Sequence, residues 1–232
     1  MASPYLGFPY FALVALFYRQ TNGFVSKQTD LYHVWKTLPV LLLSILCYLI
    51  GSGAGLTGRL RTYTAIALFF GALGDYSIGE YGLLIGASSF LIGHIFYLLT
   101  FADRVTRIYY PIAIVLGTVD LAIAYLTLTP IAIEYPLKCT ILMVYTTVLT
   151  VCVVLSASLF IYGGVNERPK QFNNLIRLLG FVLFYGSDSM LALHLLAFSM
   201  PWAEVLILFT YFGAQYLVLW ATCITSRQSI IH

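Results

Sequence analysis

Residues 141–155 read ILMVYTTVLTVCVVL, and residues 40–50 read VLLLSILCYLI. Neither run alternates apolar and polar residues, as the strands of a membrane β-barrel do. Both are continuously apolar, and a helix satisfies its own backbone hydrogen bonds when no water is at hand. The rest of the chain follows suit. Hydrophobic residues make up 60% of the 232, charged residues only 9%, and mean hydropathy is +0.90. Soluble domains carry about 25% charge, so the sequence predicts an all-α integral membrane bundle.

Glycine, proline and charge clusters punctuate the apolar runs at "GSGAGLTGR", "GEYG", "ADRVTR", "TPIAIEYP", "GGVNERPKQ" and "SMPW". They divide the chain into eight expected transmembrane helices, roughly 3–18, 34–51, 62–79, 82–102, 107–128, 136–162, 173–197 and 202–223. All connections are short, so residues 1–232 read as a single transmembrane domain. The N-terminal stretch lacks a basic leader region and is read as the first span.

An even number of spans puts both termini on one side. That side collects Arg59, Arg61, Arg104, Arg107, Arg168, Lys170, Arg177 and Arg227, against Arg19, Lys27, Lys36 and Lys138 on the other. The positive-inside rule then predicts cytoplasmic termini. A net charge of +3 gives no reason to expect a nucleic-acid partner. Cys47, Cys139, Cys152 and Cys223 form no CxxC pair, so neither a disulfide framework nor a zinc site is indicated. The histidines show no metal-binding spacing, and no metal or cofactor is implied.

Against this background the acidic residues stand out, because a charge in a bilayer core costs roughly 2.5–3.5 kcal/mol on insertion scales. Asp75 ends "FFGALGD" and Asp188 ends "FYGSD". Each follows paired aromatics and a glycine, the echo expected of two parallel four-helix repeats. Both lie about 20 Å along helices expected to run the same way, so the two carboxyls are expected to share one cavity. Gly71 and Gly74 would give a neighbouring helix or a substrate clearance. Two carboxyls in a low-dielectric cavity do not ionise together easily, which suits acid–base hydrolysis of a bound substrate by water. Lys36, His94, Tyr97, Ser187 and Gln215 are the polar groups expected to bind or position substrate. Asp120, at similar depth without polar neighbours in sequence, and His194 are read as structural. The tyrosines, 18 in all, are read mainly as packing and interface anchors.

"KTLPV" (36–40), "GALGD" (71–75), "FLIGHIFY" (90–97), "FVLFYGSDSMLA" (181–192) and "TYFGAQYLV" (210–218) occur in this order. Together they resemble the lysoplasmalogenase (YhhN-type) family of eight-span membrane proteins. The resemblance covers the second to the eighth expected helix, and "GSD" replaces another small residue common in relatives. It implies hydrolysis of the vinyl ether bond of a lysoplasmalogen to a fatty aldehyde and a glycerophosphocholine or glycerophosphoethanolamine. It implies Asp75 and Asp188 as the catalytic pair, a lysophospholipid and water as reactants, and an endoplasmic reticulum membrane as the location. Lys36 would hold the phosphate. An intramembrane aspartyl protease fits less well, because "GALGD" lacks GxGD spacing and no PAL motif follows Asp188. A proton-coupled transporter or lipid-binding protein is the alternative from another functional class.

Overall fold

The computed structural model describes residues 4–25, 29–165 and 167–231. Lys27 and the first residue of the expected opening helix lie outside the described residues. The described chain folds into eight α-helices: α1 (Pro4–Gln20), α2 (Tyr32–Ile50), α3 (Gly58–Glu80), α4 (Leu83–Leu98), α5 (Tyr110–Leu128), α6 (Pro136–Tyr162), α7 (Phe172–Leu196) and α8 (Ala203–Ile231). Short 3₁₀ turns at Ala102–Arg104 and Thr129–Ile131 close α4 and α5. The described residues form no strand, only a backbone bridge between Val105 and Gly164.

Several ends differ from expectation. The helix expected from 62 begins at Gly58, and the one expected from 107 begins at Tyr110. The helix expected to end at 223 runs on to Ile231. The basic residues Arg59, Arg61 and Arg227 are therefore helical rather than loop residues. Left-handed glycines end two helices. Gly82 (φ +90°) turns α3 into α4, and Gly163 (φ +78°) stops α6 where a Cβ would lie 2.4 Å from the Glu167 carbonyl.

Six of the described helical stretches are long and apolar enough to cross a membrane: Tyr32–Ile50, Leu83–Arg104, Tyr110–Ile131, Pro136–Tyr162, Phe172–Leu196 and Ala203–Arg227. They fit a multi-pass membrane protein. The other two helices differ for separate reasons. At 17 residues, α1 is about 26 Å long, shorter than a hydrocarbon core of about 30 Å. Within α3, Arg59, Arg61, Asp75 and Glu80 dilute an otherwise apolar helix.

Consecutive helices pack side by side: α1 on α2, α2 on α3, α3 on α4, then α5 on α6, α6 on α7 and α7 on α8. Short connections produce such neighbours in any bundle, so this packing does not establish the two parallel repeats expected from the sequence. Between the halves, α4 lies along α6, and α3 touches α8. Aromatic rings tie α1 to α8. Tyr10 donates to the Phe212 carbonyl at 2.8 Å, and Phe17 and Phe24 pack edge-on or tilted against Phe212.

At one end of the bundle three connections and α8 converge. Arg227 donates to the Ala54 carbonyl at 2.9 Å, joining α8 to the α2–α3 turn. Arg104, after α4, forks onto both oxygens of Glu167, at 2.8 and 2.6 Å, in the α6–α7 connection. Asn174 accepts from Arg104 and Arg177, both at 2.9 Å. Thr225 of α8 accepts from Arg177 at 2.9 Å and Asn173 at 3.0 Å. Arg177 is fully buried, its guanidinium 5.2 Å from the centre of the Phe101 ring.

Candidate active site

Away from the polar end, the side chains around the two aspartates form two adjoining groups. The first is centred on Asp75, which α3 delivers to the interior because Thr64, Leu68, Gly71 and Asp75 recur on one buried face. Asp75 is 1% exposed. Its Oδ1 lies 3.1 Å from the Lys36 Nζ, and its Oδ2 accepts from the Tyr211 hydroxyl at 2.7 Å. Tyr211 in turn accepts from the Gln215 amide at 3.0 Å, and Gln215 Oε1 accepts from Tyr97 at 2.6 Å. The result is one directed hydrogen-bond chain, Tyr97 to Gln215 to Tyr211 to Asp75, ending on a carboxyl paired with an ammonium. Tyr211 and Gln215 are four apart and so share a face of α8. A buried carboxyl without such partners would be strongly unfavourable.

Gly71 makes this approach possible. A Cβ there would lie 2.8 Å from the Gln215 Nε2. At Gly74 a Cβ would likewise lie 2.8 Å from the Phe90 ring. Both glycines serve neighbouring side chains of the bundle. Gly186, the counterpart before Asp188, faces open space, so the two motifs are alike in sequence but not in packing.

The second group surrounds Asp188, whose Oδ2 accepts a hydrogen bond from the Tyr145 hydroxyl of α6. Asp188 lines a cavity of about 600 Å³ bounded mainly by α5, α6 and α7, with walls that are largely apolar. That volume falls within the roughly 300–1,000 Å³ usual for small-molecule sites. Asp75 does not line this cavity. The two carboxyls therefore do not share the expected chamber: Asp188 is at the wall of the cavity and Asp75 is sealed off from it. Phe90 stands between the groups: it lines the cavity and packs on both Tyr145 and Tyr211. Lys36 and Asp75 remain within electrostatic range of Asp188.

The other expected site residues distribute unevenly. Lys36 faces Asp75 rather than the cavity, so it neutralises a buried carboxyl instead of waiting free for a phosphate. Tyr97 and Gln215 belong to the hydrogen-bond chain. His94, 3% exposed, is 2.9 Å from the Phe90 carbonyl through Nδ1, and its ring is wedged against Tyr97, Tyr145 and Phe184. It supports both groups without reaching the cavity. Ser187 donates to the Ile207 carbonyl at 3.0 Å, which fastens α7 to α8. His194 accepts from the Met200 backbone at 3.0 Å, a bond to the following connection.

Sequence reading passed over Tyr145 and Tyr211, the direct partners of the two aspartates. For Tyr211 a signal existed in its four-residue spacing from Gln215. For Tyr145 none did, since its partner lies on another helix. Asp120, read as lacking polar company, has it across helix boundaries. It accepts from Thr150 at 2.6 Å and from Tyr185 at 2.7 Å, and it lines the same cavity as Asp188.

Neither the curated proteins nor the solved structures contain a match to this chain. The YhhN family model matches residues 31–222, a span that starts just before α2, takes in both aspartates and their tyrosine partners, and stops within α8. The YhhN family includes lysoplasmalogenases, and this chain belongs to it.

Proposed function

We propose that the protein is a lysoplasmalogenase that hydrolyses the vinyl ether bond of a single-chain alkenyl glycerophospholipid inside the membrane. The observation that carries this reading is a carboxyl, Asp188, held by Tyr145 at the wall of an apolar cavity large enough for a lipid chain. Family membership supports it.

A vinyl ether is cleaved by protonation of its β-carbon. Asp188 donates that proton, the C=C electron pair takes it up, and an oxocarbenium cation forms at the ether carbon. The newly formed carboxylate faces the cation and stabilises it. A water molecule adds to the cationic carbon and returns one proton to Asp188. The resulting hemiacetal collapses to a fatty aldehyde and the glycerophospho-alcohol, so the proton and the enzyme are both restored. Tyr145 fixes the carboxyl in place. Asp75 acts from behind: its charge, partly offset by Lys36, favours the developing cation in a low-dielectric setting. The Tyr97–Gln215–Tyr211 chain orients Asp75, so those residues are positioning groups.

The membrane arrangement belongs to the same proposal. α1 and α3 complete an eight-span bundle, with the termini and the end bearing Arg104, Arg168 and Arg227 in the cytoplasm, in keeping with the positive-inside rule. Endoplasmic reticulum residence is the location the family resemblance implies.

The test is aldehyde release from a lysoplasmalogen by the purified protein in detergent. Asp188→Asn is expected to lose at least about 100-fold in kcat, in line with removal of a general acid, while still folding. Turnover by Asp188→Asn at the native rate would overturn the reading. Lipid binding without turnover by the native protein would point to a carrier.

A further inference from the structure

The cavity has a second carboxyl, and the chemistry of its walls indicates what that carboxyl receives. Thr118, Thr127, Thr146 and Thr147 each donate their hydroxyl proton to the carbonyl four residues back on their own helix. The protons of Thr150 and Tyr185 go to Asp120, and that of Tyr145 goes to Asp188. Among the described hydroxyl side chains that line the cavity, Ser189 remains, and it hydrogen-bonds with Tyr185. The wall around Asp120 thus offers acceptors and almost no donors. Each oxygen of a carboxyl has two lone pairs, and Thr150 and Tyr185 take one apiece. A ligand that satisfies the remainder must bring a hydrogen-bond donor into an apolar cavity.

Tyr185, which holds Asp120, sits one turn before Asp188 on α7, so the two carboxyls address neighbouring stretches of the same space. A single-chain glycerolipid with its ether bond at Asp188 carries one such donor close by, the free hydroxyl on the adjacent glycerol carbon. A two-chain lipid has an ester or ether oxygen there, an acceptor facing acceptors. Resting on the hydrolase reading, we propose that Asp120 is a specificity residue that accepts a hydrogen bond from this hydroxyl and so excludes lipids in which it is blocked. A site built to bond a hydroxyl rejects the analogue lacking it, because the acceptor loses that partner and meets another acceptor instead.

The bland role for Asp120 is a clip that fastens α5 to α6 and α7, and the experiment separates the two. Binding of a saturated 1-O-alkyl lysophospholipid, which has no vinyl ether to cleave, is compared with binding of its 2-O-methyl ether on the full chain in nanodiscs. The native protein is expected to prefer the free hydroxyl by about tenfold or more, the effect of one hydrogen bond to a charged group. Asp120→Leu is expected to lose that preference. Thr150→Val, which weakens the clip and leaves the acceptor, is expected to keep it. If Asp120→Leu does not assemble, Asp120→Asn serves, with the preference expected to fall at least about threefold. The proposal is overturned if the native protein shows no preference, if Asp120→Leu retains it, or if Thr150→Val loses it equally. Because the probe is not hydrolysed, a native preference without aldehyde release from lysoplasmalogen would sink the hydrolase reading while the hydroxyl contact at Asp120 held as a feature of lipid binding.

Discussion

Asp75 and Lys36 show how a charge survives in this interior. They lie 3.1 Å apart, and Asp75 is sealed from water. Removing one partner of such a pair costs roughly 3–5 kcal/mol, because the other is left charged and unpaired. Lys36→Met should therefore lower thermal stability in detergent far more than the double substitution Lys36→Met/Asp75→Asn, in which neither charge remains. Both proteins should be nearly inactive. Equal melting temperatures for the two would show that the pair does not matter to folding. Tyr211→Phe tests the positioning chain without touching the charges. It deletes one hydrogen bond to Asp75, worth about 1.5–3 kcal/mol for a charged acceptor, and kcat is expected to fall about tenfold or more with KM little changed. An unchanged kcat would separate Tyr211 from the chemistry. The aspartates were legible in the sequence because a carboxyl within an apolar run is costly wherever it falls. Their tyrosine partners were not, because tyrosine has packing and interfacial reasons to occur throughout a membrane protein. Which of 18 tyrosines meets a carboxyl depends on which helices are neighbours.

Helix identity and order follow from uninterrupted apolarity and punctuation, and these are properties of contiguous sequence. Helix ends are less legible, since an arginine after a glycine turn reads as loop although it occupies the first turn of α3. The glycines carry a sharper lesson. "GALGD" and "YGSD" look equivalent, yet a Cβ at Gly71 would press on the Gln215 amide at 2.8 Å while one at Gly186 would meet nothing within 4 Å. Gly186→Ala is expected to raise stability slightly, by about 0.5–1 kcal/mol, through the helix-interior cost of glycine. Gly71→Ala should offset that gain by pushing Gln215 off Tyr211, and it should reduce aldehyde release. Thermal melts and activity of the two variants side by side check this, and equal behaviour would refute the asymmetry. The cavity itself was invisible in sequence. Its walls depend on how α5, α6 and α7 pack, with Ile78 and Phe90 added from the other half of the chain, and Asp120 gained its partners only when α5 settled against α6 and α7.

Across the whole molecule, the convergence of Arg104, Glu167, Asn174, Arg177 and Thr225 joins segments up to 121 residues apart in the chain. Partial burial by itself would raise the Glu167 carboxyl, but the hydrogen bonds and charge of Arg104, with Asn174 and Arg177, outweigh it and hold the pKa below its ordinary value of 4.5. A native pKa below the unfolded one means stability that is present above about pH 4.5 and is lost as pH falls through the lower native value. The native protein should thus exceed Glu167→Gln in melting temperature at neutral pH, and the gap should close on acidification below that range. A gap independent of pH would argue against the linkage. The same α8 that reaches this cluster through Thr225 also supplies Tyr211 and Gln215. During biosynthesis α8 leaves the ribosome after the other seven helices. On the eight-span arrangement proposed above, the carboxyls of α3 and α7 wait in the membrane, one of them without its tyrosine, until α8 is inserted. Docking of α8 ties off the polar end and completes the support of Asp75 in one event. A nascent chain stalled before α8 would be both inactive and marked for quality control by its exposed charges.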